Sequence, residues 1–305
     1  MHITNINQCA ATLSQYLQAH RPLTVLAGAG LSTASGIPSY RDENGNWQQS
    51  PPVQHQQFMQ HHHVRQRYWA RSLHGWPNLY QAQPNLAHKA IQQLQQAGYI
   101  GTIITQNVDG LQQRAGSDPV INLHGDANQM RCMQCGQLTP RLDMHQRSLQ
   151  LNPTFAEHEA SALADGDANL EVDFSQFQVP ACRSCDGILK PDVVYFGDNV
   201  PRDRVEQAQQ ALAHSGGLLV IGSSLMVFSG YRFARQAVQA QQPLILLNRG
   251  KNRADDIATV KLDSDLSATL LSTVERLLQP PGEPLGEPEL TNSEGSTAAH
   301  KSVAS

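Results

Sequence analysis

Residues 23–41 read LTVLAGAGLSTASGIPSYR. Leu23–Ala27 is a short apolar run, of a length that suits a buried strand better than a core helix. It runs directly into Gly28, Ala29 and Gly30. Glycines at a strand end let the backbone approach an anion, and a helix starting just beyond would aim its N-terminal amides at a phosphate. The full G-x-G-x-x-G of dinucleotide sites is missing, because position 33 is Thr33; Ser32 and Thr33 offer hydroxyls instead. An ordinary tight strand-to-helix turn fits the same letters. The continuation is unusual, since Gly36 and Pro38 break the helix early. That leaves Tyr40 and Arg41 on a loop able to fold over a bound molecule, and the guanidinium of Arg41 is a planar fork suited to phosphate.

Working outward, the strand-then-helix pattern repeats. Ile6, Cys9, Leu13, Tyr16 and Leu17 fall at helical spacing within 3–20, and Pro22 ends that helix. Lone Cys9 reads as a packing residue on it. Residues 43–83, rich in Gln, His, Pro and Trp, read as loop plus short helices. Residues 85–97 read as a helix closed by Gly98. Further strands are predicted at 99–105, 120–123, Leu218–Ile221, Leu244–Leu247 and 259–262, with helices at 231–240 and 266–278. Alternating strands and helices imply α/β architecture, a doubly wound parallel sheet of Rossmann-like type. We expect that domain to take 1–42, 84–125 and 196–278, with a cofactor-loop and helical module at 43–83. A small zinc-binding module is expected as an insertion at 126–195. From 279 to 305 the chain is Pro, Gly, Glu, Ser and Thr with few apolar residues, which predicts a disordered tail.

The totals exclude several classes. A chain of 305 residues with 40% hydrophobic content can bury a sizeable core. A net charge of -4 gives no footprint for nucleic acid. No apolar run reaches the roughly 18 residues of a membrane helix, and no basic start followed by an apolar block marks a secretory signal. A cytoplasmic location is the expectation. Four of the five cysteines fall into two tight pairs, which in a cytosolic chain suggests metal more than disulfides.

Those pairs are Cys132-Met-Gln-Cys135 and Cys182-Arg-Ser-Cys185. Two C-x2-C knuckles supply four thiolates for tetrahedral Zn2+. Gly136 follows the first knuckle, as such turns often require. With sulfur at all four positions, no place is left for a catalytic water, so the metal is expected to be structural. A redox C-x-x-C is the alternative. A zinc-ribbon nucleic-acid binder is disfavoured by the low Lys and Arg density around the knuckles.

The strand at 99–105 ends in a second telling stretch, IITQNVDG at 103–110. Gln106, Asn107 and Asp109 place hydrogen-bonding side chains where a core strand stops. They read either as a turn or as a ligand site, because ligands of open α/β sheets bind outside the carboxyl ends of the strands. His124, in NLHG, likewise ends a strand. Most of the 13 histidines are unremarkable, and the run His61, His62, His63 reads as a solvated face. An imidazole at a strand end is suited to taking a proton near pH 7.

Seven stretches in order, GAGLSTASGIPSYR, TQNVDGLQQRAG, LHG, the two knuckles, LKPDVVYFGD, GSSLMVFSGYRF and LNRGKNRADD, resemble the sirtuins, NAD-dependent protein-lysine deacylases. The resemblance covers about residues 20–275. RQRYWAR at 65–71, LNPTF at 151–155 and FQVPAC at 177–182 resemble the class II, sirtuin-four-like branch. The resemblance implies NAD as a consumed co-substrate, one structural Zn2+, and acylated-lysine proteins as partners. It implies Gly28, Ala29, Gly30, Ser32, Thr33, Tyr40 and Arg41 around the cofactor. Gln106 would bond a ribose hydroxyl, Asn107 would hold the ribose or a water, and Asp109 would accept from the carboxamide. Gly222, Ser223, Ser224, Asn248, Arg249 and Gly250 would meet the adenosine ribose, with Leu266 near the adenine. Val194, Phe196, Gly197 and Val227 belong to two extended edges between which a substrate peptide would add as a strand.

The implied chemistry begins when the acyl-lysine oxygen attacks C1′ of the nicotinamide ribose. Nicotinamide leaves, an alkylimidate forms, and His124 deprotonates a ribose hydroxyl that attacks it. Lysine and O-acyl-ADP-ribose result. Tyr40 would shield C1′, standing where most of the family carry Phe. Ser39 departs from the usual Asp or Thr. Tyr68 and Arg71 resemble the pair that binds acidic acyl groups in desuccinylating members, and Arg71 could pair with such a carboxylate; a structural ion pair is the other reading. Mono-ADP-ribosyl transfer onto a protein, a nicotinamide-dependent oxidoreductase and a non-catalytic NAD- or zinc-binding module are the alternatives.

Overall fold

A computed structural model describes residues 1–40, 42, 44, 46 and 53–279. Arg41 and the tail from 280 lie outside the described residues. Strands in chain order are β1 (His2–Ile3), β2 (Leu23–Ala27), β3 (Ile100–Thr105), β4 (Val120–Asn122), β5 (Gly125–Cys132), β6 (Leu138–Pro140), β7 (Ser161–Ala162), β8 (Ala168–Asn169), β9 (Leu189–Val193), β10 (Leu218–Ile221), β11 (Leu244–Leu247) and β12 (Val260–Leu262). The α-helices are α1 (Ile6–His20), α2 (His55–Gln60), α3 (His62–Gln81), α4 (Leu86–Gln96), α5 (Leu111–Arg114), α6 (Arg141–Leu151), α7 (Pro153–Ala156), α8 (Arg202–Ala213), α9 (Phe228–Gln239) and α10 (Leu266–Leu278).

Seven strands form one sheet in the order β1-β12-β11-β10-β2-β3-β4, and every pairing is parallel. Every residue of β2, β10 and β11 is buried, which is why these runs carry no polar alternation. One face is covered by α1, α4 and α10 through Leu13, Leu17, Ile91, Leu94 and Leu270. The other is covered by α8 and α9 through Leu212, Phe233 and Ala237. The helices start where side chains satisfy their free amides: Asn5 caps α1, Asn85 and His88 form a capping box on α4, and Asp265 caps α10. From β2 the chain winds outward to β3 and β4, and from β10 to β11 and β12. Strand order therefore reverses between β2 and β10, the switch point beside which a doubly wound sheet opens its crevice.

Three expectations need correcting. No α-helix follows the glycine loop; two 3-10 turns, Ala29–Leu31 and Thr33–Ser35, take its place and end on Gly36 at φ 83. Residues 62–81 form one long helix instead of short ones, running through Gly75 and Pro77. A Cβ at Gly75 would lie 2.0 Å from the Asp167 carbonyl, so the glycine lets that loop pack on the helix. Strand β1 was not anticipated, because two residues carry no periodicity.

The second region has a three-stranded antiparallel sheet, β6-β5-β9, and the short pair β7-β8. Its core joins Phe58, Trp69 and Leu73 of α2 and α3 to Met130, Met144, Phe155, Phe177 and Leu189. The helical stretch and the cysteine region thus share one core. No helix among the described residues is long and apolar enough to cross a membrane.

Candidate active site and metal centre

A cleft of about 640 Å³ opens at the carboxyl ends of β2, β3, β10 and β11. Its floor is two strand-end loops in backbone contact. The Gly30 amide donates to the Gly222 carbonyl at 2.8 Å. A Cβ on Gly28 would lie 2.6 Å from that of Ser223, and one on Gly222 would lie 2.5 Å from the Leu31 nitrogen. Gly222 also takes φ 62, where a side chain is strained.

The polar end of β3 ties these loops together. Gln106 Nε2 donates to Ser223 Oγ at 2.8 Å. Asn107 Nδ2 donates to the Gly28 carbonyl at 3.1 Å and to Ser32 Oγ at 3.0 Å. Ser32 Oγ donates to Asp109 Oδ2 at 2.7 Å, and the Leu111 amide donates to Oδ1 at 2.8 Å. Burial pushes the Asp109 carboxyl pKa up, against the lowering pull of the Leu111 amide, the Ser32 hydroxyl and Arg114. Gln106 and Asn107 are turn residues and cleft residues at once.

His124 follows β4 and lines the cleft. Its Nδ1 lies 3.0 Å from the Gln106 carbonyl oxygen and its Nε2 lies 2.8 Å from Ser229 Oγ. A carbonyl can only accept, so Nδ1 carries the hydrogen and Nε2 keeps its lone pair. Burial pushes the imidazole pKa down to about 4; the carbonyl of Gln106 opposes this, and the charges of Arg204 and Arg232 add to it. At neutral pH the ring is an uncharged base with its accepting nitrogen in the cleft.

Most of the residues singled out in the sequence meet here. Gly28, Ala29, Gly30, Thr33 and Tyr40 line one side, with Gln106, Asn107 and His124. Val194, Phe196, Gly197 and Val227 also line the cleft, as do Gly222, Ser223, Ser224, Asn248, Arg249 and Leu266. Ser32, Asp109 and Gly250 stand behind the wall. Ser32 and Asp109 brace Asn107, while the Gly250 carbonyl accepts from Lys261 at 2.6 Å. Tyr68 and Arg71 do not line the cleft. Tyr68 packs edge-on against Phe58, and Arg71 makes a two-pronged pair with Asp167 at 2.9 and 3.0 Å. The carboxylate partner expected from an acyl group is already supplied by the protein. Sequence reasoning missed Ser229 and Arg232, which also line the cleft, and Asn252, whose Nδ2 holds the Ser223 carbonyl at 2.6 Å. Their only signal was position, in or after strand-end loops that converge in space.

The four paired cysteines form a separate centre. All are free thiols, and their sulfurs lie within 4.8 Å of one another. Cys132 and Cys185 are 3.5 Å apart, and Cys135 and Cys182 are 3.8 Å apart. A tetrahedron with zinc–sulfur bonds of about 2.3 Å has edges of about 3.8 Å, so the set fits one Zn2+. Each knuckle turns through a left-handed residue just after it, Gly136 at φ 74 and Asp186 at φ 56. A Cβ on Gly187 would lie 2.8 Å from the Cys132 sulfur, so only glycine leaves the cradle open.

Comparison with known proteins adds a family. Residues 28–229 match the model of the Sir2 family. A Bradyrhizobium diazoefficiens protein named NAD-dependent protein deacetylase 2 is 50% identical over 260 residues, 85% of this chain and 95% of its own length. A Xanthomonas campestris NAD-dependent protein deacetylase is 47% identical over 281 residues, covering 92% and 94%. A Monosiga brevicollis protein named NAD-dependent protein deacylase SIR4 is 45% identical over 251 residues, covering 80% and 81%. Among solved structures, a Sir2 protein with a p53 peptide and NAD+ superposes with a TM-score of 0.72 at 30% identity, covering 87% of this chain and 97% of that one. A Sir2 protein bound to a propionylated peptide gives 0.69 at 30% identity over 87% and 97%.

Proposed function

This chain belongs to the Sir2 family, and from that premise we propose that it is an NAD-dependent protein-lysine deacylase. It takes an acylated lysine and NAD, and yields free lysine, nicotinamide and O-acyl-ADP-ribose. NAD is consumed and not recycled as a hydride carrier. The observation that carries the reading is a cleft lined together by the glycine loop, by a neutral imidazole, His124, and by the extended segment 194–197 with Val227.

Each residue's role follows from what it can donate or accept. His124 Nε2 takes the proton of a ribose hydroxyl, an effect typically worth about 10²–10⁴-fold in rate. Asn107 and Gln106 orient the ribose, and Asp109 acts from behind the wall by holding Ser32, which Asn107 contacts. The glycine loop with Thr33 takes the pyrophosphate, and Ser224, Asn248, Arg249 and Leu266 take the adenosine. Backbone groups of Val194, Phe196, Gly197 and Val227 pair with an extended peptide, which keeps recognition tolerant of sequence. Zn2+ held by Cys132, Cys135, Cys182 and Cys185 would order the small module, which carries β9 and so the start of one peptide edge. We further infer a cytoplasmic location, supported by two cysteine pairs that suit a metal better than disulfides.

The test is mass spectrometry after incubation with NAD and acetyl, succinyl, glutaryl and lipoyl peptides. Deacylated peptide and O-acyl-ADP-ribose in equal amounts are expected, with His124→Ala reducing both at least 100-fold. Cleavage of NAD with ADP-ribose left on a protein and no deacylated peptide would replace the reading with ADP-ribosyl transfer.

A further inference from the structure

Nothing in the deacylase reading uses Ser229, yet its hydroxyl sits on the nitrogen that the reaction needs. The Gln106 carbonyl fixes the hydrogen on Nδ1, so the 2.8 Å contact between Ser229 Oγ and Nε2 has one polarity: the serine donates and the ring accepts. Ser229 is in the first turn of α9, whose N-terminus has no side-chain cap. That end of the helix is seated firmly. Gly230 is buried, and a Cβ there would lie 2.5 Å from Gln106 Oε1. The helix start is therefore pressed onto the same strand-end loop that holds Nδ1, and two elements far apart in sequence clamp the imidazole from opposite sides.

We propose that Ser229 is a positioning residue for the general base: its hydroxyl holds the His124 ring in one tautomer and orientation, and marks the place that the ribose hydroxyl takes when the co-substrate binds. The role assigned to the ribose rests on the deacylase reading; the hydrogen bond and the tautomer do not. When the ribose hydroxyl displaces it, Ser229 keeps its own proton, and the proton that reaches Nε2 comes from the ribose. Burial holds the ring neutral, and Ser229 donates to that neutral ring. The Gln106 carbonyl opposes the effect of burial, while Arg204 of α8, Arg232 of α9 and the positive end of the α9 dipole add to it.

The experiment is a nitrogen-detected NMR titration of the histidine rings in the full chain, with the His124 signal assigned by its loss in His124→Gln. Ser229→Ala and Ser229→Thr are compared with the parent. The parent ring is expected as the Nδ1-protonated tautomer at neutral pH, titrating below the ordinary histidine range. In Ser229→Ala the Nε2 signal should move as its hydrogen bond is lost, and Ser229→Thr, which keeps the hydroxyl, should follow the parent. The kcat/KM for deacetylation should fall about five-fold in Ser229→Ala and hold in Ser229→Thr. An Nε2-protonated ring in the parent, or an unmoved Nε2 signal in Ser229→Ala, would overturn the proposal. If the NMR result holds and no deacylation occurs, the deacylase reading fails and the serine–imidazole contact stands.

Discussion

In the sheet core, Leu218, Val220, Leu244 and Leu246 are buried among aliphatic side chains and Phe233. In the core beside the cysteines, a buried Arg141 lies against Trp69 and Trp76, its carbon 5.6 and 5.4 Å from the two ring centres. The first core is fed by long periodic elements and closes mainly on hydrocarbon, with His88 and a few hydroxyls buried beside it. The second has a three-stranded sheet, a short strand pair, irregular loops and parts drawn from 58 to 195. A region that small buries too little surface to hold itself and leans on a staple. The difference separates what organises the cofactor side of the cleft from what organises the peptide side.

The largest expected effect breaks the comparison at its metal. Removing Zn2+ with a chelator, or Cys182→Ser, should unfold the small region while the sheet persists, because structural zinc contributes on the order of 10 kcal/mol. Metal content should fall from one equivalent to none. Helical circular dichroism should fall only in part, and deacylation should drop at least 100-fold. Full activity without metal would show that the small region folds alone.

Acid probes the opposite core. His88, at the start of α4, has its pKa pushed down to about 4 by burial and by Arg114, as burial does to His124. Both rings charge more readily in the unfolded chain, near 6.5, than in the fold. Stability is therefore complete above pH 6.5 and is lost as pH falls toward 4. At the upper limit each ring contributes roughly 3 kcal/mol. Thermal melts from pH 7.5 to 4.5 should show a falling midpoint, with a shallower slope in His88→Gln. A flat profile would remove the histidines from the account.

Arg141→Ala should cost about 3 kcal/mol, since it strands the Ala127 carbonyl and the Ser72 hydroxyl that the guanidinium now bonds. Denaturant melts should place the loss in the small region, with zinc still bound. The smallest effect sharpens the acyl question. Arg71→Ala should cost about 1 kcal/mol through its pair with Asp167. It should slow acetyl and succinyl peptides equally. A selective loss on succinyl peptides would return Arg71 to the acyl site.

The same contrast explains what could be read from sequence. Leu218–Ile221 and Leu244–Leu247 declare themselves because strands buried on both faces admit only apolar residues, and chain order then gives the winding. The strand-end residues Gln106, Asn107 and His124 were readable because a parallel sheet sends all its carboxyl ends to one edge. Helix α3 was hidden by Gly75 and Pro77, which local propensity scores as breakers, whereas Trp69 and Trp76 packing on Arg141 outweighs them. Arg71 left two readings open in the sequence for a related reason. Its partner Asp167 lies in an inserted loop, and no local rule reaches across to it. Ser229 was invisible because the contact it makes is with a residue on a different strand end.

One consequence of the sheet order concerns how the protein is made. Strand β2 pairs with β10, Thr24 opposite Leu218, and the glycine loop rests on the Gly222 carbonyl. The wall that shapes the cofactor end is therefore synthesised long after the loop it supports. A chain still emerging from the ribosome has the glycine motif but no pocket. Co-substrate can bind, and by mass action stabilise, only chains whose second half has arrived and docked. Occupancy of the cleft is in that sense a checkpoint on completed synthesis, and any premature stop before β10 yields a product blind to NAD.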